Sequence, residues 1–167
     1  MFHELCQHSL MKLQQFISLD QPLPVDVYKL AVDRAYNQII ITNTDGIIVY
    51  ANSGLERITG YNPKEVIGHT PRTWGGLMDQ EFYEQFWKCV KIDKKPYQGE
   101  IKNHRKDGSI YYAILTTTPL LDYNGLLSGF IGIEEEITTY KDIKAKLQDY
   151  ITNLELKSLD KKPPGKI

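Results

Sequence analysis

Cysteine is scarce, with two residues, Cys6 and Cys89, far apart and in no zinc spacing. That excludes a disulfide framework or a clustered metal site and leaves two reduced thiols as the expectation. No apolar run approaches the roughly 20 residues a membrane helix requires. The start, MFHELCQHSL, lacks the basic opening and apolar stretch of a secretion signal. A cytoplasmic chain without membrane contact is expected. An excess of one charge is missing as well: 20 basic residues face 21 acidic ones, a net charge of -1. Nucleic acid and anionic membranes, which call for basic surfaces, are therefore not expected partners. Also absent are a G-x-S-x-G elbow, a Walker-type glycine loop, a metal-binding histidine pair and a C-x-x-C. Gly75-Gly76 is an isolated loop pair. Glu134, Glu135 and Glu136 are consecutive on an expected strand, so they alternate faces and do not form a paired acid and base. Neither catalysis nor a metal is expected.

What the chain does have is patterned. Phe2, Leu5, Leu10, Leu13, Phe16 and Ile17 draw an apolar helical stripe that Asp20, Pro22 and Pro24 end. A second helix is expected from about Val25 to Tyr36, with Pro24 near its first turn. The period then changes. Short β-branched runs at Gln38–Thr42 and Ile47–Ala51 flank Asp45-Gly46, a hairpin signal because glycine accepts positive φ. Asp107-Gly108 joins Tyr97–His104 to Ile110–Leu120, and Asn124-Gly125 joins that run to Leu126–Ile137. Between the second and third strands come Ser53–Thr59, Pro63–Ile67 and a longer helix from Gln80 to about Lys91. The order predicts an α+β fold, an antiparallel sheet with helices gathered on one face.

Strand faces can be read separately. On Tyr97–His104 one face holds Tyr97, Gly99, Ile101 and Asn103; the other, with Gln98, Glu100, Lys102 and His104, is wet. An amide on a buried face requires a partner, so Asn103 is a pocket candidate. The last two strands are apolar on both faces, which predicts that the N-terminal helix and a second copy of the chain cover the outer face. Phe82, Tyr83, Phe86, Trp87 and Val90 on the long helix read first as core. Past Thr138, Tyr140, Ile143, Leu147, Tyr150 and Leu154 step by three and four, a short coiled-coil seam.

Four segments together carry a family resemblance: ITNTDGIIVYAN (41–52), ITGYNPKEVIGHTPR (58–72), YQGEIKNHRKDG (97–108) and GFIGIEEEIT (129–138). In this order and spacing they resemble the PAS (Per-ARNT-Sim) sensory domain. The resemblance implies a five-stranded antiparallel sheet of order 2-1-5-4-3 with short helices enclosing a pocket. The implied divisions are an N-terminal helical cap (1–36), the PAS domain (37–138), a C-terminal signalling helix (139–160) and a flexible tail (161–167). It implies signal transduction: a small ligand bound in the pocket, with a conformational change relayed through flanking helices. The expected pocket is lined by Trp74, Tyr83, Phe86, Trp87, Ile101, Asn103, Tyr111, Ala113, Leu115, Phe130 and Glu134. A ligandless dimerisation module is the alternative, since Trp74, Trp87 and Tyr111 are large enough to fill the space. The implied partners are a second copy of the chain and an output such as a histidine kinase or diguanylate cyclase.

The branch most similar is the flavin-binding light-oxygen-voltage sensors, whose photoactive motif aligns with GHTPRTWG (68–75). Pro71 stands at the photoactive cysteine's position. Arg72 matches the phosphate-binding arginine and Asn103 a flavin-contacting asparagine; Ala113 and Glu134 replace a second asparagine and the glutamine. The cofactor stays open, with non-covalent flavin the leading alternative to none. Haem is not expected: His3, His8, His69 and His104 all read as surface residues, and none lies on the long helix that supplies a haem ligand in related domains. Glu65 and Lys106 match a salt bridge recurrent in the family.

Overall fold

The structure, a computed structural model, describes residues 22–159 and the side chains through residue 152. The stripe at Phe2–Leu19, with Cys6, His3 and His8, lies outside the described residues, as do the side chain of Leu154 and the tail expected at 161–167.

Helix α1 spans Val25–Arg34, begun by Pro24 and carrying Asp26 in its first turn and Arg34 in its last. Those charges suit the helix dipole at both ends. Strands β1 (Gln38–Thr42) and β2 (Ile48–Ala51) follow. The hairpin between them is built by Asn43, whose Oδ1 accepts from the backbone N–H of Asp45 (3.0 Å) and Ile47 (2.9 Å). Gly46 takes φ 79° there, as the Asp-Gly pair predicts.

Helix α2 (Ser53–Thr59) ends on Gly60 in the left-handed region. Helix α3 (Pro63–Val66) is capped at its start: Asn62 Oδ1 accepts Lys64 N–H at 3.0 Å, and Glu65 Oε2 accepts Asn62 N–H at 2.9 Å. Glu65 also accepts Lys106 Nζ at 2.7 Å. That hydrogen bond holds the Glu65 carboxyl below its ordinary range and ties α3 to the turn after β3. A 3-10 turn at Pro71–Thr73 places Trp74, and α4 spans Gln80–Trp87, capped by Asp79. The sequence predicts one regular helix to Lys91; the structure instead widens to π winding over Lys88–Ile92. The carbonyls of Lys88 and Cys89 accept from Asp93 and Lys95, closing the helix before Pro96. Cys89 is half-buried and free.

Strands β3 (Tyr97–His104), β4 (Ile110–Leu121) and β5 (Leu127–Glu136) complete a sheet of order β2-β1-β5-β4-β3, every neighbour antiparallel. Helix α5 spans Thr138–Leu159. From residue 142 to 152 all its side chains are exposed, the predicted seam residues Ile143, Leu147 and Tyr150 included, and Tyr140 is exposed as well.

The core lies between the inner sheet face and the α2–α3 layer, where Ile48, Leu55, Val66, Trp74 and Tyr111 are fully buried. Asn52 fastens α1 to this core. Its Oδ1 accepts Ile39 N–H at 2.8 Å, and its Nδ2 donates to the carbonyls of Asn37 (2.9 Å) and Val32 (3.1 Å). On the outer face Ile41, Ile114, Ile131 and Ile133 are partly covered.

Candidate functional site

Where α4 stands off from the sheet, the space beneath is a cavity of about 430 Å³. Its walls come from period-two strands and a 3.6-period helix meeting across it. Inward positions of β1, β3, β4 and β5 supply Ile40, Ile101, Leu115 and Phe130; α4 supplies Phe82, Tyr83, Phe86 and Trp87. The helical aromatics do not form a closed core. No residue of α4 is fully buried, and Trp87 is 39% exposed. They stack edge-on as a roof instead: Phe86 meets Tyr97 at 5.2 Å and Trp87 meets Phe130 at 5.7 Å between ring centroids. Trp87 reaches over the β1–β2 hairpin, where a Cβ on Gly46 would stand 3.4 Å from its ring.

The floor is polar. Glu134 is 4% exposed and accepts three donors. Tyr111 Oη–H donates to Oε2 at 2.8 Å; Trp74 Nε1–H donates to Oε1 at 3.3 Å; Asn103 Nδ2 lies 3.3 Å from Oε2 and 3.5 Å from Oε1. Asn103 also donates to Tyr111 Oη at 3.2 Å, its direct partner across β3 and β4. Burial pushes the Glu134 carboxyl upward, and the donors of Tyr111, Trp74, Asn103 and Gln38 oppose it only in part. Burial likewise raises the Tyr111 phenol, with the charge of Glu134 adding to it. Gln38 faces Glu134 in the β1–β5 register; its amide is buried and its hydrogen bonding falls short of ordinary geometry among the described residues.

A stability consequence follows. The folded chain holds the Glu134 proton to higher pH than the unfolded chain does. This contribution is full below the ordinary carboxyl range and is lost as pH rises through the raised value. Glu134→Gln removes the loss. Urea unfolding at about pH 8 will show the variant about 1–2 kcal/mol more stable than the parent, with the gap closing near pH 4. An equal gap at both pH values would contradict a raised carboxyl.

Of the eleven residues expected in the pocket, nine line the cavity: Trp74, Tyr83, Phe86, Trp87, Ile101, Asn103, Leu115, Phe130 and Glu134. Tyr111 and Ala113 do not. The Tyr111 ring packs in the core, with its hydroxyl drawn to Glu134 and the Arg105 guanidinium 4.9 Å over its face. Ala113, opposite Ile101, is fully buried in the same packed layer. Strand alternation finds the inward face but not which inward side chains the core absorbs. Thr42 and Thr117 on the walls and Met78 before α4 escaped sequence reasoning, although period-two alternation marks the two threonines as inward. Pro71 and Arg72 stand at the exposed side. His69 is exposed, and His104 sits outside the cavity with Nδ1 against the Arg105 carbonyl. Among the described residues no cluster of histidine, cysteine, aspartate or glutamate could hold a metal, and no helix is long and apolar enough to cross a membrane.

The geometry has relatives. The chain is 31% identical over 134 residues to a blue-light photoreceptor of Listeria monocytogenes, covering 78% of this chain and 52% of that protein. It is 26% identical over 125 residues to a nitrogen fixation regulatory protein of Klebsiella oxytoca, covering 74% of this chain. This chain spans 25% of that regulator's length. Among solved structures, the PAS domain of a Colwellia psychrerythraea protein superposes with a TM-score of 0.63 at 25% identity, covering 69% of this chain and 98% of that one. The LOV domain of a blue-light activated histidine kinase from Erythrobacter litoralis gives 0.57 at 25% identity, over 63% and 99%. The family described as PAS domain matches residues 37–139. With the 2-1-5-4-3 sheet and the roofed cavity, that match assigns the chain to the PAS domain family.

Proposed function

We propose that this chain is a sensory module that binds a small ligand in the cavity and relays the event through α5. The observation that carries the reading is a cavity of about 430 Å³ with apolar walls and a polar floor. A domain that serves only to dimerise gains nothing from leaving space above Asn103 and Glu134, since unfilled volume costs stability.

The relay has a physical path. Tyr111 points inward and bonds Glu134, while its neighbour Tyr112 points outward and holds the start of α5. Tyr112 N–H donates to Thr138 Oγ1 at 3.0 Å, and Tyr112 O accepts Ile137 N–H at 2.8 Å. Lys141 lies 4.4 Å over the Tyr112 ring and pairs with Glu100. A ligand that shifts Tyr111 moves the strand to which α5 is tied. It biases two arrangements of α5 only to the extent that it prefers one of them. The exposed seam on α5 suits a second copy of the chain, and the output is a histidine kinase or diguanylate cyclase, as a partner protein or as a domain of the same protein.

Asn103→Leu is the test. Native mass spectrometry of the purified parent is expected to show a co-purifying or added ligand, and the variant is expected to lose it. Unchanged binding by a folded variant would refute the site. A second reading, non-covalent flavin, draws on Arg72 and Asn103 both lining the cavity and on the names of the photoreceptor relatives. Pro71 supplies no thiol, so adduct chemistry does not fit. Trp74, fully buried and bonded to Glu134, takes up floor that a ring would need. An absorption band in the blue would favour flavin; a colourless protein would remove it.

A further inference from the structure

The floor of the cavity has more acceptors than donors. Glu134 Oε1 has two contacts, both long, from Trp74 at 3.3 Å and Asn103 at 3.5 Å; the one short bond, from Tyr111, goes to Oε2. Gln38, the cross-strand neighbour of Glu134, makes no hydrogen bond of ordinary geometry among the described residues, although its amide is near enough to favour the Glu134 carboxylate. Asn103 spends its amide nitrogen on Tyr111 and Glu134, and among the described residues no donor reaches its Oδ1. Among the described residues no lysine or arginine bonds the Glu134 carboxyl. Arg72, the basic residue of the lining, is exposed, and Asp45 stands beside the opening with the opposite charge. Above this floor the walls are aromatic, with Phe82, Phe86, Trp87 and Phe130 presenting ring faces and edges.

Buried acceptors without donors, below an aromatic roof, call for a ligand rich in donors and positively charged. An anionic head would place like charges together, and a ligand bearing only acceptors would leave Asn103 Oδ1 unpaired and Glu134 Oε1 with its two long contacts alone. We propose, building on the sensor reading above, that the cavity takes a small organic cation with an apolar body, its ammonium or amidinium group seated between Glu134 and Asn103. Seating the cation supplies the missing donors and gives the buried carboxyl a counter-charge.

Three probes of one shape decide it: phenethylamine, phenethyl alcohol and hydrocinnamate, each titrated by calorimetry into the whole chain. The amine is expected to bind at least about tenfold more tightly than the alcohol, with the acid weakest. Glu134→Gln should erase the preference for the amine over the alcohol. Equal binding of amine and alcohol, or a preference that survives Glu134→Gln, overturns the cationic ligand and leaves the sensor site standing. If none of the three binds, the cationic ligand is overturned, and the sensor site is decided by the Asn103→Leu mass-spectrometry comparison. The comparison on the parent chain decides the matter even if the variant does not fold.

Discussion

Trp74→Ala will cost about 3–5 kcal/mol of folding stability, because a fully buried tryptophan leaves a void that its neighbours cannot close. Trp74 has no exposed surface and packs with Ile40, Leu55, Ile101 and Tyr111 in the core. It is also the partition between that core and the cavity. Removing the indole merges two spaces rather than opening one, so collapse has further to go. The indole N–H to Glu134 is lost as well. Trp74→Phe separates the two effects, since it keeps most of the volume and loses only the donor, a cost of roughly 1–3 kcal/mol. Denaturant midpoints followed by far-ultraviolet circular dichroism will rank parent, Phe and Ala in that order. An alanine variant as stable as the phenylalanine one would show that the packing role is misassigned.

The second large effect is at Asn52. Leucine has similar bulk but neither donor nor acceptor. Asn52→Leu orphans Ile39 N–H and removes the donor shared by the carbonyls of Val32 and Asn37. Ile39 is nearly buried, so its amide finds no easy water. Roughly 2–4 kcal/mol is expected in total, given about 1–3 kcal/mol for each buried group left unpaired. The loss should be local first. Among the described residues the remaining side-chain hydrogen bonds to α1 are Ser53 Oγ–H donating to Asp33 O (2.7 Å) and the Tyr50–Asp33 hydrogen bond. Limited proteolysis should therefore cut the variant within residues 22–37 before the sheet unfolds. Cleavage elsewhere, at the parent's rate, would speak against Asn52 as the anchor.

The sheet was readable in the amino acids because its turns declare themselves. Asp45-Gly46, Asp107-Gly108 and Asn124-Gly125 all carry glycine at positive φ, near 79°, 85° and 76°. Asn103 was readable too, as the polar member of a buried face. Other features depend on distance in space. The role of Asn52 requires that a residue after β2 meet carbonyls from α1, which no local pattern announces. The π winding at Lys88–Ile92 leaves apolar spacing almost unchanged, so periodicity reads one helix. Tyr111 points inward like Asn103, yet its hydroxyl is drawn back into the core by Glu134, a partner 23 positions away. Trp87 read as core by spacing and stands at the roof, because α4 leans off the sheet by the width of the cavity.

One dimension of α5 gives the tie at Tyr112 its reach. At about 1.5 Å per residue, Thr138–Leu159 extends roughly 33 Å from its anchor. A pivot of only about 5° at the Thr138 hydroxyl would swing the far tip by about 3 Å, on the order of a helix side-chain spacing. The strand beneath need shift by only a fraction of a bond length. A rod clamped at one end converts a displacement too small to see in the sheet into one large enough to re-register a partner.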